Sequence, residues 1–141
     1  MLNDIDEAMD TIFDEILMKK KTALILFAHG ARDPRWAMPF QRLQKMTQES
    51  LPEVSVELAF LEFMTPNLND LVAQLVANEC DDITISPIFL GQGGHVLRDL
   101  PLIVDALHET YPALRLTQVE AAGEDIAVLQ AIRDYCVKSL A

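Results

Sequence analysis

Apolar residues in this chain fall into two alternating patterns. Short, nearly unbroken apolar and β-branched runs occur four times, as TALILFA (22–28), VSVELAFLE (54–62), DITISPIFL (82–90) and LRLTQVE (114–120). Runs of this kind predict strands buried on both faces. Elsewhere apolar residues recur every three or four positions. Trp36, Phe40, Leu43 and Met46 form one such stripe, and Leu68, Leu71, Val72, Leu75 and Val76 form a second. A third helix is expected around residues 98–109. A fourth, over 124–139, carries Ile126, Leu129, Ile132 and Cys136 on one face. That spacing predicts helices. Thr65-Pro66 reads as an N-cap followed by proline at the first helical position. Pro87 cannot donate to a ladder, so the third strand should be irregular there or end early.

Four strands alternating with four helices predict an α/β fold, a three-layer sandwich with a four-stranded parallel sheet flanked by helices on both sides. Right-handed crossovers follow as the default. A chain of 141 residues suits one such core. Ahead of it, Leu2, Ile5, Met9, Ile12, Phe13 and Ile16 sit at helical spacing among acids. Residues 1–20 therefore read as an amphipathic helical extension, free to pack on the core or on another subunit, and residues 21–141 as one domain.

Charge narrows the classes of partner. The net charge is −11, and Asp4, Asp6, Glu7, Asp10, Asp14 and Glu15 supply six of the negative charges before any base is reached. Non-specific nucleic-acid binding is therefore not expected. No apolar run approaches the roughly 20 residues of a membrane span. The start of the chain also lacks the pattern of a signal peptide, which places the expected location in the cytoplasm. Cys80 and Cys136 lie far apart without a CxxC partner and read as small buried hydrophobes in a reducing compartment.

The candidate chemistry gathers where the first three strands end: at His29, at Glu62 and at the glycine loop leading to His95. In a parallel sheet all carboxyl ends share one edge, and that edge binds ligands in open α/β folds. Two imidazoles and a carboxylate there suit a divalent transition metal. A hydrogen-bonded loop histidine and a solvated glutamate are the plainer alternatives, and His108, on a helix beside Glu109, is expected to be exposed and no ligand. Gly91, Gly93 and Gly94 permit positive φ angles and a close approach of backbone to ligand. Arg32, Arg35 and Arg98 follow the two histidines closely and could hold substrate carboxylates in bidentate fashion. Pairing with Asp33 or Asp99 is their alternative use. GQGG does not match the dinucleotide fingerprint GxGxxG and follows the wrong strand. No GxSxG elbow is present, and neither cysteine falls on the histidine rim.

Three blocks, ILFAHGARDPRW, LAFLEFMTPNLNDLV and SPIFLGQGGHVLRDLP, together resemble the short CbiX-type sirohydrochlorin cobaltochelatases and the related sirohydrochlorin ferrochelatases, from about residue 22 to 118. The resemblance implies a class II chelatase half-fold and insertion of a divalent metal into sirohydrochlorin, a tetrapyrrole rich in carboxylates. It maps the metal-handling histidines onto His29 and His95, and an acid near the metal onto Glu62. It implies the tetrapyrrole as substrate, close to the glycine loop and the three arginines. The metal enters as substrate, cobalt first, with iron or nickel as alternatives, and no organic cofactor is implied. Longer members carry two such halves, so a single half implies a homodimer. Ala31 stands where the family more often has serine. A non-catalytic metal or tetrapyrrole carrier is the competing class.

Overall fold

The computed structural model describes residues 4–10, 21–91 and 93–140, with the side chains of residues 95 and 97 outside the described set. Residues 4–10 are helical (α1) and exposed along their whole length. Of the extension expected over 1–20, this segment is the described part, and its other residues lie outside the described ones.

The domain is a four-stranded parallel sheet in the order β2-β1-β3-β4, built from β1 (Thr22–Ala28), β2 (Ser55–Phe60), β3 (Asp82–Pro87) and β4 (Arg115–Gln118). Helices α2 (Met38–Ser50), α3 (Leu68–Ala77), α4 (Gly94–Thr110) and α5 (Ile126–Lys138) alternate with the strands, and one-turn 3-10 helices at Pro34–Ala37 and Ala122–Glu124 precede α2 and α5. The strand order reverses between β1 and β3, so their carboxyl ends frame the crevice where such sheets take ligands.

β1 is one of the two inner strands, and Ile25, Phe27 and Ala28 have no exposed surface. Alternate residues serve two cores. On one face Ile25, Phe27, Ile83, Ile85 and Leu116 meet Leu71, Val72 and Leu75 of α3 and Leu100, Val104 and Leu107 of α4. On the other, Leu26, Val56, Leu58 and Phe60 meet Phe40 and Leu43 of α2 and Trp36 of the preceding turn. Burial of each such large side chain contributes about 1.5–3 kcal/mol, which explains why the strands read as unbroken apolar runs. The second face changes character across the sheet. Register places Thr84 beside Leu24, Ser86 beside Leu26 and Thr117 beside Thr84, so its β3–β4 half is small and polar.

β2 forms one edge of the sheet, and α2 reaches over to it. Gln48 Oε1 accepts the Val56 N–H at 3.0 Å, and Gln44 Nε2 donates to the Val56 carbonyl at 3.0 Å. Higher up, Phe60 N donates to the Pro66 carbonyl at 3.0 Å, forming an isolated bridge to Asn67.

Several boundaries move from their sequence positions. The α3 cap is Asn67, whose Oδ1 accepts Asp70 N at 2.8 Å, so Pro66 lies outside the helix. β3 ends on Pro87, where a missing donor costs nothing further along. α4 begins at Gly94, four residues before the predicted 98. Cys136 is exposed, contrary to expectation, because α5 is not packed on its own sheet.

Cys80 does behave as a core residue. Its Sγ donates to the Lys21 carbonyl at 3.2 Å, and burial pushes its thiol above the ordinary range. Under native conditions at neutral pH, a thiol reagent followed by peptide mapping should leave Cys80 unmodified. Rapid labelling of Cys80 without denaturant would contradict this packing.

Candidate functional site

His29 is delivered by the most deeply buried strand. Past the regular end of β1, Leu61 N donates to the Ala28 carbonyl at 2.9 Å and Glu62 N donates to the His29 carbonyl at 3.1 Å. The β1–β2 ladder therefore continues just far enough to set His29 and Glu62 side by side. Their side chains meet, His29 Nε2 to Glu62 Oε1 at 2.8 Å, with 42% and 37% of each exposed. One imidazole nitrogen is thereby committed to a carboxylate, which selects the tautomer and orients the ring.

Two glycine and turn features hold that pair. Gly30 has φ +94°, and a Cβ built there would overlap the Glu62 carbonyl oxygen. The same carbonyl accepts Met64 N at 2.8 Å across Phe63, whose φ is +65°. This is a tight three-residue reversal, rare for a non-glycine centre. A positive φ at phenylalanine costs on the order of 1–3 kcal/mol and persists where surrounding structure over-determines it. Phe63 is exposed, and Arg32 lies 5.0 Å over its ring. A cleft of about 360 Å³ opens beside them, lined by Ala31, Phe60 and Met64 among others.

The opposite wall comes from the segment after β3. Ile88 N donates to the Phe27 carbonyl at 2.8 Å, and the Phe89 ring stands edge-on to both Phe27 (5.9 Å) and His29 (6.4 Å). Phe89 packs His29 from the side, a role hidden within an apolar run. The glycines that follow depart from their expected conformation. Gly91, Gly93 and Gly94 have no positive φ, and a Cβ on any of them would meet nothing within 4 Å. Gly93 is the extended N-cap of α4 and Gly94 its first residue. The chain's own packing therefore does not require glycine at these three positions, and the edge beside His29 stays open. His95 follows in the first turn of α4. Its side chain lies outside the described residues.

Sequence reasoning passed over the glycine that does position this loop. Gly123 N donates to the Phe89 carbonyl at 2.8 Å, and a Cβ at Gly123 would overlap the Leu90 carbonyl oxygen. Its only sequence signal is a glycine shortly after the fourth strand. Gly123→Ala should cost about 2–3 kcal/mol, from overpacking against a backbone oxygen. A denaturant midpoint equal to that of the parent chain would refute the contact.

The three arginines divide. Arg35 donates to Asp33 through Nε (3.1 Å) and Nη2 (2.6 Å), and Asp33 also caps the following turn by accepting Arg35 N at 2.9 Å. These bonds hold the Asp33 carboxyl below its usual range and raise the guanidinium. Arg98 donates to Asp99 at 3.0 Å. Both pairs are surface pairs of the alternative kind weighed from the sequence, and such exposed pairs are exchanged at little cost. Arg32 instead stacks on Phe63. His108 is exposed as expected, with its Nε2 2.9 Å from the Leu116 carbonyl. Among the described residues no three His, Cys, Asp or Glu side chains converge on one ion position, and of the expected metal-handling residues His29 and Glu62 are the two whose described side chains meet. No helix among them is long and apolar enough to cross a membrane.

Comparison with known proteins agrees with this fold. The CbiX family model matches residues 23–138. A sirohydrochlorin cobaltochelatase of Priestia megaterium is 26% identical over 111 residues, covering 79% of this chain and 36% of its own. One from Methanopyrus kandleri is 29% identical over 79 residues, covering 56% of this chain and 55% of its own. The matched segment thus spans between a third and just over half of these relatives. Among solved structures, a CbiX protein assigned to cobalamin (vitamin B12) biosynthesis in Marinobacter aquaeolei VT8 superposes with a TM-score of 0.75 at 28% identity, over 84% of this chain and 97% of that one. The sirohydrochlorin chelatase SirB of Bacillus subtilis subspecies spizizenii, solved with cobalt, shares the fold. Its TM-score is 0.72 at 20% identity, over 84% of this chain and 50% of that one.

Proposed function

The chain belongs to the CbiX family, and from that membership we propose that it inserts a divalent metal, cobalt first, into sirohydrochlorin, acting in the cytoplasm as a homodimer. The observation that carries this reading is the His29–Glu62 pair, 2.8 Å apart past the carboxyl ends of β1 and β2, with the glycines after β3 leaving their side-chain positions open. A flat macrocycle needs such an open edge, and a hydrated metal needs a nitrogen–oxygen donor pair that is exposed to water.

Insertion replaces two pyrrolic N–H protons by one divalent ion, while metal-bound waters are exchanged for ring nitrogens. In this scheme His29 receives the hydrated metal or takes one of the two protons, one lone pair serving one role at a time. Glu62 orients the imidazole and offsets positive charge beside it. His95, carried here by the family resemblance, is the second metal-handling histidine. Arg32, Arg35 and Arg98 lie on loops and helix starts that could meet peripheral carboxylates, and guanidinium suits bidentate pairing with them.

Cobalt ranks first because the relatives in hand are named cobaltochelatases, although first-row ions share these ligand types. The test is a panel of cobalt, iron and nickel with sirohydrochlorin at limiting protein, read by the change in tetrapyrrole absorption. Catalysed insertion above the protein-free rate, fastest with cobalt, is the expected result. Stoichiometric binding with no excess rate for any metal would replace the enzyme reading by that of a carrier.

A further inference from the structure

Phe63 combines backbone strain and exposure in a way that the fold itself does not require. It stands at φ +65° with 58% of its surface accessible, so it lacks the stabilisation that burial gives an aromatic ring. Glycine or asparagine would hold the same reversal with less strain. The turn is nevertheless fixed from outside. The Glu62 carbonyl that opens it lies against Gly30, and Met64 N closes it at 2.8 Å. The strained ring is therefore held in one place, directly after one member of the His29–Glu62 pair.

The ring has Arg32 above it, with the guanidinium carbon 5.0 Å from its centre. Stacking occupies the flat face of a guanidinium and leaves its in-plane N–H donors for an acceptor. Arg35 and Arg98 differ, because each already donates to a neighbouring aspartate. Among the described residues no acceptor takes the Arg32 donors. Arg32 and Phe63 both line the cleft of about 360 Å³, to which Gln41 and Thr65 add an amide and a hydroxyl, and Phe60 and Ala37 apolar surface. Phe60 and Ala37 belong to the core under α2, whereas the Phe89 that flanks His29 belongs to the opposite core. The cleft thus leads away from the pair along the α2 face. Its volume is at the small end of ligand pockets, roughly 300–1,000 Å³, which suits a charged side arm and not a whole macrocycle.

We propose that Phe63 is a positioning residue that fixes the Arg32 guanidinium over this cleft, and that the two seat one carboxylate arm of the macrocycle, setting its rotation above His29. The inference rests on sirohydrochlorin being the substrate, and it gives the carboxylate-recognising role to one arginine of the three. A macrocycle ringed by similar arms has many orientations related by rotation, and one rigid bidentate contact removes most of them.

The experiment titrates metal-free sirohydrochlorin onto the full chain, followed by the tetrapyrrole's fluorescence. Arg32→Gln should weaken binding about tenfold, the weight of one charge-assisted contact. Phe63→Asn, which adopts a positive φ more readily, should weaken it about fivefold while the thermal midpoint stays at or above that of the parent. Phe63→Tyr should bind within about twofold of the parent, because the ring is kept. The double variant should bind no more weakly than Arg32→Gln alone, since the ring acts through the arginine. With cobalt present, the loss in Phe63→Asn should fall on KM rather than on kcat. Parent-like binding by Phe63→Asn, or losses that multiply in the double variant, would overturn the subsite and leave the chelatase reading standing. A lowered thermal midpoint or a changed molar mass in Phe63→Asn would assign the ring to the fold or to a contact between copies, and would overturn it equally. A parent chain that neither binds sirohydrochlorin nor inserts metal into it would remove both readings.

Discussion

A Gly30→Ala chain should lose about 4 kcal/mol of folding stability, and with it the proposed chelatase activity. Two costs combine. An L-residue held at positive φ costs roughly 1–2 kcal/mol, and overpacking a rigid neighbour adds about 1–3 kcal/mol. The neighbour here is the Glu62 carbonyl, fixed from both sides by its bond to Met64 N and by the ladder through Glu62 N. The backbone can relieve the overlap only by moving Glu62 away from His29, so stability and site geometry fail together. Against a typical total of about 5–15 kcal/mol, the loss is large enough to read directly from a urea melt. A midpoint within error of the parent would mean that Gly30 does not sit beneath Glu62.

His29→Ala should separate function from fold. Its side chain is two-fifths exposed and makes one hydrogen bond, so thermal unfolding should barely shift. Insertion of cobalt into sirohydrochlorin should instead fall about 100-fold or more, the usual weight of a positioned acid–base group. Glu62→Gln keeps the shape and removes the charge, and should fall less, by about 10-fold, as expected for a group acting through its neighbour. The order of the two matters. If Glu62→Gln proves the more damaging, the carboxylate rather than the imidazole takes the metal. Full activity in His29→Ala would remove the proposed mechanism.

Most of the fold was legible because both faces of the sheet needed cover, which forces apolar runs in the strands and three-to-four spacing in the helices. The convergence of His29, Glu62 and the glycine loop on one edge followed from parallel topology alone. What escaped depended on contacts between remote backbones. Nothing local distinguishes Gly30 and Gly123, which lie against carbonyls from other elements, from Gly91, Gly93 and Gly94, which lie against nothing. Phe89 reads as part of a strand, although its ring edge packs His29. The burial expected of Cys136 was not met, because the α5 stripe it shares with Ile126, Leu129 and Ile132 is exposed among the described residues. Thr65 looked like a cap because Thr-Pro is a common helix opening, and Asn67, two residues on, had the better geometry.

The glutamines of α2 have a consequence beyond local bonding. An edge strand with free N–H and C=O groups is a template for cross-β growth. Gln44 and Gln48 occupy those groups at Val56, the loop through Pro66 occupies the one at Phe60, and Glu57 adds charge between them. At the other margin β4 is only four residues long and opens on Arg115. Strand-by-strand polymerisation is thus discouraged at both margins. Gln44→Val with Gln48→Val, which frees the Val56 amide and carbonyl, should therefore raise the propensity to form fibrils that bind thioflavin T.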